Sequence, residues 1–211
     1  MPDYSEMIKL FQTKAEQVSA RVQEFATVQD AIACAIDVCS HKKVCAQLQS
    51  GCEAEVSEGA QALCDVKFGK HIVAAPDLYS KDRICLIEHC LKKGIKTVFK
   101  DLRQHLGGVD MAITWAQYGI AETGTVVINS TNEDLRLATM ISEVHMVLLE
   151  EKNIRNSADD LTVELKKMMQ DADNYTAFIT GASRTADIER VLAMGVHGPL
   201  ELYILLIKEE K

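Results

Sequence analysis

Two short polar segments combine hydroxyl, carboxylate and glycine residues in a way that suits ligand binding or catalysis. The first, residues 121–125, reads Ala-Glu-Thr-Gly-Thr and leads into an apolar run. Glu122 could serve as a general base, a nucleophilic carboxylate or a hydrogen-bond acceptor. Thr123 and Thr125 offer hydroxyls, and Gly124 lets a ligand approach the backbone. The alternative is a structural turn in which the threonines cap backbone groups and the carboxylate is solvated.

The second segment, residues 180–189, reads Thr-Gly-Ala-Ser-Arg-Thr-Ala-Asp-Ile-Glu and follows an apolar run. Its pattern predicts a strand, a turn and then a helix from Asp187 to Met194. Free backbone N–H groups at a helix start, beside hydroxyls and a guanidinium, suit a phosphate or carboxylate. The guanidinium could instead pair with an acid of the same segment. The ligand-binding candidates here are Ser183, Arg184, Thr185 and Asp187.

A third polar turn, residues 195–199, places an imidazole between two glycines in the order Gly-Val-His-Gly-Pro. His197 could carry a proton in catalysis, or could be a loop histidine bonded to backbone. Gly198 is a candidate ligand contact. In open α/β folds, ligand sites form beyond the carboxyl ends of strands. We therefore expect the three segments to converge at that end of a sheet and to bind a small carboxylate or phosphate.

The elements that position these turns follow an alternating pattern. Short apolar strands alternate with helices from about His71 to Ile207, which indicates an α/β sandwich with a largely parallel sheet. Glu133–Ile141, for example, is predicted as a helix and Tyr175–Ile179 as a strand. No Pro- or Ser-rich linker divides this region. We expect one α/β domain over residues 60–211.

The N-terminal region has a helical pattern instead. Apolar residues recur at steps of four and three between Tyr4 and Phe25, which predicts one helix with an apolar seam. A second helix is predicted to start at Val28. The seam could pack on the chain's own domain or bind a partner protein. We expect residues 1–50 to form a helical extension of the α/β domain.

Composition excludes several classes of protein. The chain has 211 residues, of which 47% are hydrophobic, so it can bury a substantial core. Its 31 acidic and 23 basic residues give a net charge of −8, which disfavours nucleic-acid or acidic-membrane binding. No apolar run approaches the roughly 18 residues that span a bilayer, and the first ten residues lack a signal-peptide pattern. We expect a cytoplasmic protein.

Cysteine spacing argues against a metal site. All seven cysteines lie in the first 90 residues, and none forms a C-x-x-C pair of the kind that zinc and iron–sulfur sites use. We expect reduced thiols that act as small hydrophobes, and no bound metal. Cys85 and His89, four residues apart on a predicted helix, are the one pair that could face an ion. The others are Cys34, Cys39, Cys45, Cys52, Cys64 and Cys90.

Four motifs occur in a fixed order along the chain: Ala-Glu-Thr-Gly-Thr at 121–125, Val-His-Met-Val at 144–147, Ser-Arg-Thr-Ala-Asp-Ile-Glu at 183–189 and Gly-Val-His-Gly-Pro at 195–199. Together they resemble the LUD-domain family, and within it the lactate utilization protein C group. The joint occurrence of these motifs is highly specific. The resemblance implies a three-layer sandwich like that of ribose-phosphate isomerase, glucosamine-phosphate deaminase and the CoA-transferases.

The resemblance also implies a role in oxidising L-lactate to pyruvate with two partner subunits, one of them an iron–sulfur protein that carries a related domain. The sequence has no recognisable flavin, nicotinamide or iron–sulfur motif, so we expect a non-redox component without a cofactor, colourless as isolated. Two alternatives stay open: a stand-alone enzyme of the CoA-transferase or isomerase type that uses Glu122, and a protein-interaction scaffold. A homo-oligomer is also compatible with the sequence.

Overall fold

The computed structural model describes residues 4–44, 70–130, 132–170, 174–188, 191–194 and 198–208, with backbone alone for 184–188 and 191–194. Within these ranges the α-helices are α1 (Tyr4–Gln17), α2 (Val28–His41), α3 (Ser80–Lys92), α4 (Glu133–Ile141) and α5 (Thr162–Met168). Single 3₁₀ turns lie at Leu102–His105, Glu151–Asn153 and Asp159–Leu161. No described helix is long and apolar enough to cross a membrane.

The strands fall into three sheets. They are β1 (Ala20–Phe25), β2 (Ile72–Ala74), β3 (Lys96–Val98), β4 (Val109–Trp115), β5 (Tyr118–Ile120), β6 (Thr125–Ser130), β7 (Ser142–Glu150), β8 (Ile154–Arg155), β9 (Tyr175–Ile179), β10 (Arg184–Ile188), β11 (Val191–Met194) and β12 (Glu201–Ile207). A central sheet has the order β1-β12-β7-β4-β2-β3, and every pairing in it is parallel. A second sheet has the order β8-β5-β6-β9, and β10 pairs with β11. The predicted largely parallel sheet is confirmed.

The molecule has three layers because both faces of the central sheet are apolar. On one face, α2 and α3 contribute Ile36 and Leu86 to a core that contains Met146 of β7. On the other face, α1 and the second sheet enclose a second core, in which Phe11 is fully buried beside Val147. Successive residues of β7 thus enter opposite cores, as a strand buried on both faces requires.

Helix α1 ends earlier than its apolar seam predicts. Its face of Ile8, Phe11 and Ala15 is buried in the chain's own core, so the seam packs internally. After Gln17 the chain turns through Ser19, whose φ is +67°, and continues as β1. The prediction of one helix from Tyr4 to Phe25 is therefore wrong over residues 20–25, where the expected helical extension contains an edge strand of the central sheet.

The prediction of a helix from Asp187 to Met194 is also wrong. Backbone pairing of Arg184 with Met194 and of Thr185 with Ala193 makes this segment an antiparallel pair of strands, β10 and β11. The periodicity of a short apolar run fits a helix and a strand equally well. Here the pairing between β10 and β11 makes both segments strands. An anion site at a helix start is therefore absent from this segment.

Candidate ligand-binding site

A cavity of about 450 Å³ lies between the central sheet and the second sheet. His145 of β7 and Leu202 of β12 form its wall on the central sheet, and Thr139 and Met140 of α4 close one side. The rest is lined by Tyr175, residues 177–183 and residues 198–199. His145 and Leu202 are paired in register in the amino-terminal half of each strand. The cavity therefore lies away from the carboxyl ends of the central strands, where we had expected the site, although residues 180–183 follow the carboxyl end of β9.

Two of the predicted segments meet at this cavity. Ser183 donates its backbone N–H to the carbonyl oxygen of Pro199, with an N···O distance of 2.9 Å. A side chain added at Gly198 would stand 3.3 Å from Cβ and 3.4 Å from Oγ of Ser183. The predicted convergence of Ser183 and Gly198 is thus observed. His197 lies outside the described residues, as do the side chains of Arg184, Thr185 and Asp187.

The Ala-Glu-Thr-Gly-Thr turn connects β5 to β6 and reaches the cavity through one hydroxyl chain. Thr125 Oγ1 lies 2.7 Å from Thr123 Oγ1 and 2.7 Å from Thr180 Oγ1. Thr125 is buried, whereas Thr180 lines the cavity. Thr125 therefore contacts the cavity wall at Thr180 without lining the cavity itself, and Thr123 contacts Thr125.

Glycines at both turns allow α1 to pack against them. Gly124 has φ of +66° and Gly181 has φ of +77°, a left-handed backbone that favours glycine. A Cβ atom at Gly124 would clash with the backbone of Ala15, and one at Gly181 would clash with the carbonyl oxygen of Val18. The carboxyl end of α1 and Val18, directly after it, thus pack closely against the two polar turns.

The Glu122 side chain hydrogen-bonds the loop that follows β8. Its Oε1 atom accepts a hydrogen bond from the backbone N–H of Ala158 at 3.1 Å, and its own N–H donates to the carbonyl oxygen of Asn156 at 3.0 Å. Glu122 is exposed and is not part of the cavity lining. These contacts are those of a structural turn, but they differ from the predicted alternative in detail: the carboxylate bonds a backbone N–H, and the threonine hydroxyls contact each other and Thr180.

His145 is the chemically distinct group of the cavity, and it was missing from the predicted site residues. It is fully buried, and its Nε2 atom lies 2.8 Å from the Thr114 hydroxyl on the neighbouring strand β4. Its Nδ1 atom has no hydrogen-bond partner among the described residues. Burial lowers the pKa of His145 to about 4, so the imidazole is neutral at physiological pH. An imidazole within the otherwise apolar run of residues 144–149 was the available signal.

The described cysteines are free thiols, as their spacing suggested. Cys39 and Cys90 are buried in the core, and burial raises the pKa of Cys90 to about 12. Cys85 Sγ lies 3.6 Å from His89 Nδ1, but that nitrogen is also 2.9 Å from the Cys85 carbonyl oxygen. No group of three His, Cys, Asp or Glu side chains that could hold a metal occurs among the described residues. Cys45, Cys52 and Cys64 lie outside them.

Comparison of the sequence with known proteins shows its relatives. Similar proteins include an uncharacterised protein of Neisseria meningitidis, 37% identical over 100 residues, which are 47% of this chain and 42% of that protein. Lactate utilization protein C of Halalkalibacterium halodurans is 30% identical over 47% of this chain and 45% of its own length. The chain therefore aligns with less than half the length of these two relatives. YkgG of Escherichia coli is 26% identical over 74% of this chain and 71% of its own length.

A solved structure shows the same fold. The crystal structure of a DUF162 family protein from Deinococcus radiodurans superposes with a TM-score of 0.58 over 98% of this chain and 99% of that one, at 14% identity. The family model of the LUD domain matches residues 8–207, so the match includes most of α1 and every described strand. This chain belongs to the LUD-domain family.

Proposed function

We propose that this chain is a non-redox component of an L-lactate-oxidising system, in which it binds a small carboxylate and an iron–sulfur partner protein. One observation carries the proposal: the LUD-domain match over residues 8–207 accompanies several relatives that are named lactate utilization protein C. Because the sequence has no flavin, nicotinamide or iron–sulfur motif, the two electrons from lactate are assigned to a partner subunit.

The cavity supports a ligand-binding role for this component. Its volume of about 450 Å³ falls in the range of small-molecule pockets, and it combines apolar walls with a few hydroxyls and one imidazole. Ser183 lines it, and Arg184 follows directly in the sequence. We assign the ligand's carboxylate to Arg184, since a guanidinium binds a carboxylate through two parallel hydrogen bonds.

A gene deletion in the native host tests the function. The deletion strain should fail to grow on L-lactate as sole carbon source but grow normally on pyruvate, and the wild-type gene should restore growth. Affinity purification from lactate-grown cells should recover an iron–sulfur protein with this chain. Normal growth of the deletion strain on L-lactate, with unchanged lactate consumption, would contradict the proposal.

A further inference from the structure

The wall of the cavity contains a buried polar atom that the fold itself does not use. His145 has no exposed surface, and Thr114 contacts only its Nε2 atom. Nδ1 is without a partner among the described residues, although buried polar groups in native proteins are nearly always paired. A fold selected for stability alone would place an apolar residue at this position, as it does at Val147 and Leu149 on the same face of β7. The imidazole therefore indicates a ligand contact.

The chemistry of the cavity restricts what this contact can be. Burial keeps the imidazole neutral, so it can donate or accept one hydrogen bond but cannot balance a negative charge. None of the described side chains that line the cavity is charged at neutral pH; its other hydroxyls belong to residues such as Thr180 and Ser183. A neutral imidazole beside hydroxyls suits an uncharged oxygen, either a hydroxyl or a carbonyl.

We propose that His145 Nδ1 hydrogen-bonds the C2 oxygen of a small 2-hydroxy- or 2-oxo-carboxylate and so makes the cavity selective for such acids over plain carboxylates. This inference rests on the proposed function for the carboxylate and adds the residue that recognises the second polar group. A carboxylate without a C2 oxygen would leave the imidazole buried and unpaired, and a site built to bond a ligand oxygen rejects analogues that lack it.

Calorimetry with the purified full-length chain tests the inference, using L-lactate, pyruvate and propionate as probes. Propionate has the same carbon skeleton but no C2 oxygen. The wild type should bind L-lactate or pyruvate at least about tenfold more tightly than propionate. His145→Leu should bind all three equally weakly, while His145→Gln, which keeps a hydrogen-bonding group, should retain part of the discrimination. His89→Gln, on α3 and outside the cavity lining, is the matched control and should behave as wild type.

Each result supports or overturns the inference. Equal affinity of the wild type for pyruvate and propionate would overturn it, as would no binding of any probe or unchanged discrimination in His145→Leu. If His145→Leu does not fold, Thr114→Val decides, because it keeps the imidazole but removes the hydroxyl that orients it; selectivity should then fall while the melting curve remains cooperative. Growth on L-lactate is a separate measurement. If the wild-type protein binds no probe while its deletion strain fails to grow on L-lactate, the inference and the carboxylate-binding part of the proposed function are refuted, and the role in L-lactate oxidation stands.

Discussion

Thr125 Oγ1 and Thr180 Oγ1 lie 2.7 Å apart and join the first residue of β6 to the turn after β9. The two strands are antiparallel neighbours, with Val126 opposite Ile179, so the hydroxyl contact lies one residue beyond the last backbone pair of β6 and β9. Thr125 also contacts Thr123. The cavity wall at Thr180 is therefore supported through a buried hydroxyl that does not itself line the cavity.

Removing this hydroxyl should destabilise the protein. Thr125→Val keeps the β-branched shape but leaves Thr180 and Thr123 without their shared partner, which should lower the free energy of unfolding by about 1–2 kcal/mol. Urea denaturation measures the change. Thr13→Val, which removes an exposed hydroxyl on α1, is the control and should change stability by less than about 0.5 kcal/mol. Equal effects of the two variants would show that the hydroxyl chain adds nothing.

The close approach of α1 to Gly181 gives a second prediction. Gly181→Ala adds a Cβ at a left-handed backbone position and against the carbonyl oxygen of Val18. Gly94→Ala is the matched control, since Gly94 has φ of +68° but nothing within 4 Å of the added atom. The control should lose about 1–2 kcal/mol from backbone strain alone. Gly181→Ala should lose at least about 1–3 kcal/mol more, from overpacking, in thermal or urea unfolding.

A similar loss in both variants would show that α1 shifts freely. A larger loss at Gly181, accompanied by weaker ligand binding, would show that the helix end positions the cavity turn.

The sequence predicts best those elements whose signals are local. Helix α4 occurs at its predicted bounds, Glu133–Ile141, where Asn132 caps the first turn by accepting a hydrogen bond from the Asp134 N–H. By contrast, β1 continues the apolar seam of α1, and only its pairing with β12, at the other end of the chain, makes it a strand. Strands β10 and β11 are decided in the same way by pairing with each other.

For the candidate site, too, the sequence does not predict contacts between distant parts of the chain. The motifs identified Ser183 and Gly198, which do meet at the cavity. Glu122 and Thr125 are three residues apart, yet Glu122 bonds Ala158 and Thr125 contacts Thr180. Their neighbours come from distant parts of the chain, so spacing alone cannot tell which one supports the cavity.

Arg184 is expected to supply the charge for a bound carboxylate. Arg184→Ala should abolish the rise in melting temperature that pyruvate or phosphate produces in the wild type. Arg184→Lys keeps the charge but loses the planar fork, so affinity should fall by about 1–3 kcal/mol. Arg103→Lys, whose exposed guanidinium is paired with Glu133, is the control and should leave ligand binding unchanged. Lower melting temperatures in both Arg184 variants, with no ligand effect in the wild type, would mean that the arginine is structural.

Asp77, at the carboxyl end of β2, should make stability depend on pH. Its Oδ2 atom accepts a hydrogen bond from the backbone N–H of Trp115 at 2.9 Å, while Oδ1 is buried without a partner among the described residues. Burial raises the pKa of Asp77 from 3.8 to about 6, against the lowering effect of the Trp115 hydrogen bond and of the Arg83 charge. The folded state therefore holds this proton more tightly than the unfolded chain does.

The consequence is a loss of stability as the pH rises. Between pH 4 and 6 the folded protein binds more protons at Asp77 than the unfolded chain, so this residue's contribution to the free energy of unfolding falls across that window. Asp77→Asn removes the charge but keeps an oxygen for the Trp115 N–H. The variant should match the wild type near pH 4 and exceed it by roughly 1–3 kcal/mol above pH 6. Urea denaturation at several pH values measures the difference, with Asp159→Asn, an exposed aspartate, as control. A difference that does not vary with pH would show that Asp77 titrates as an ordinary surface carboxylate.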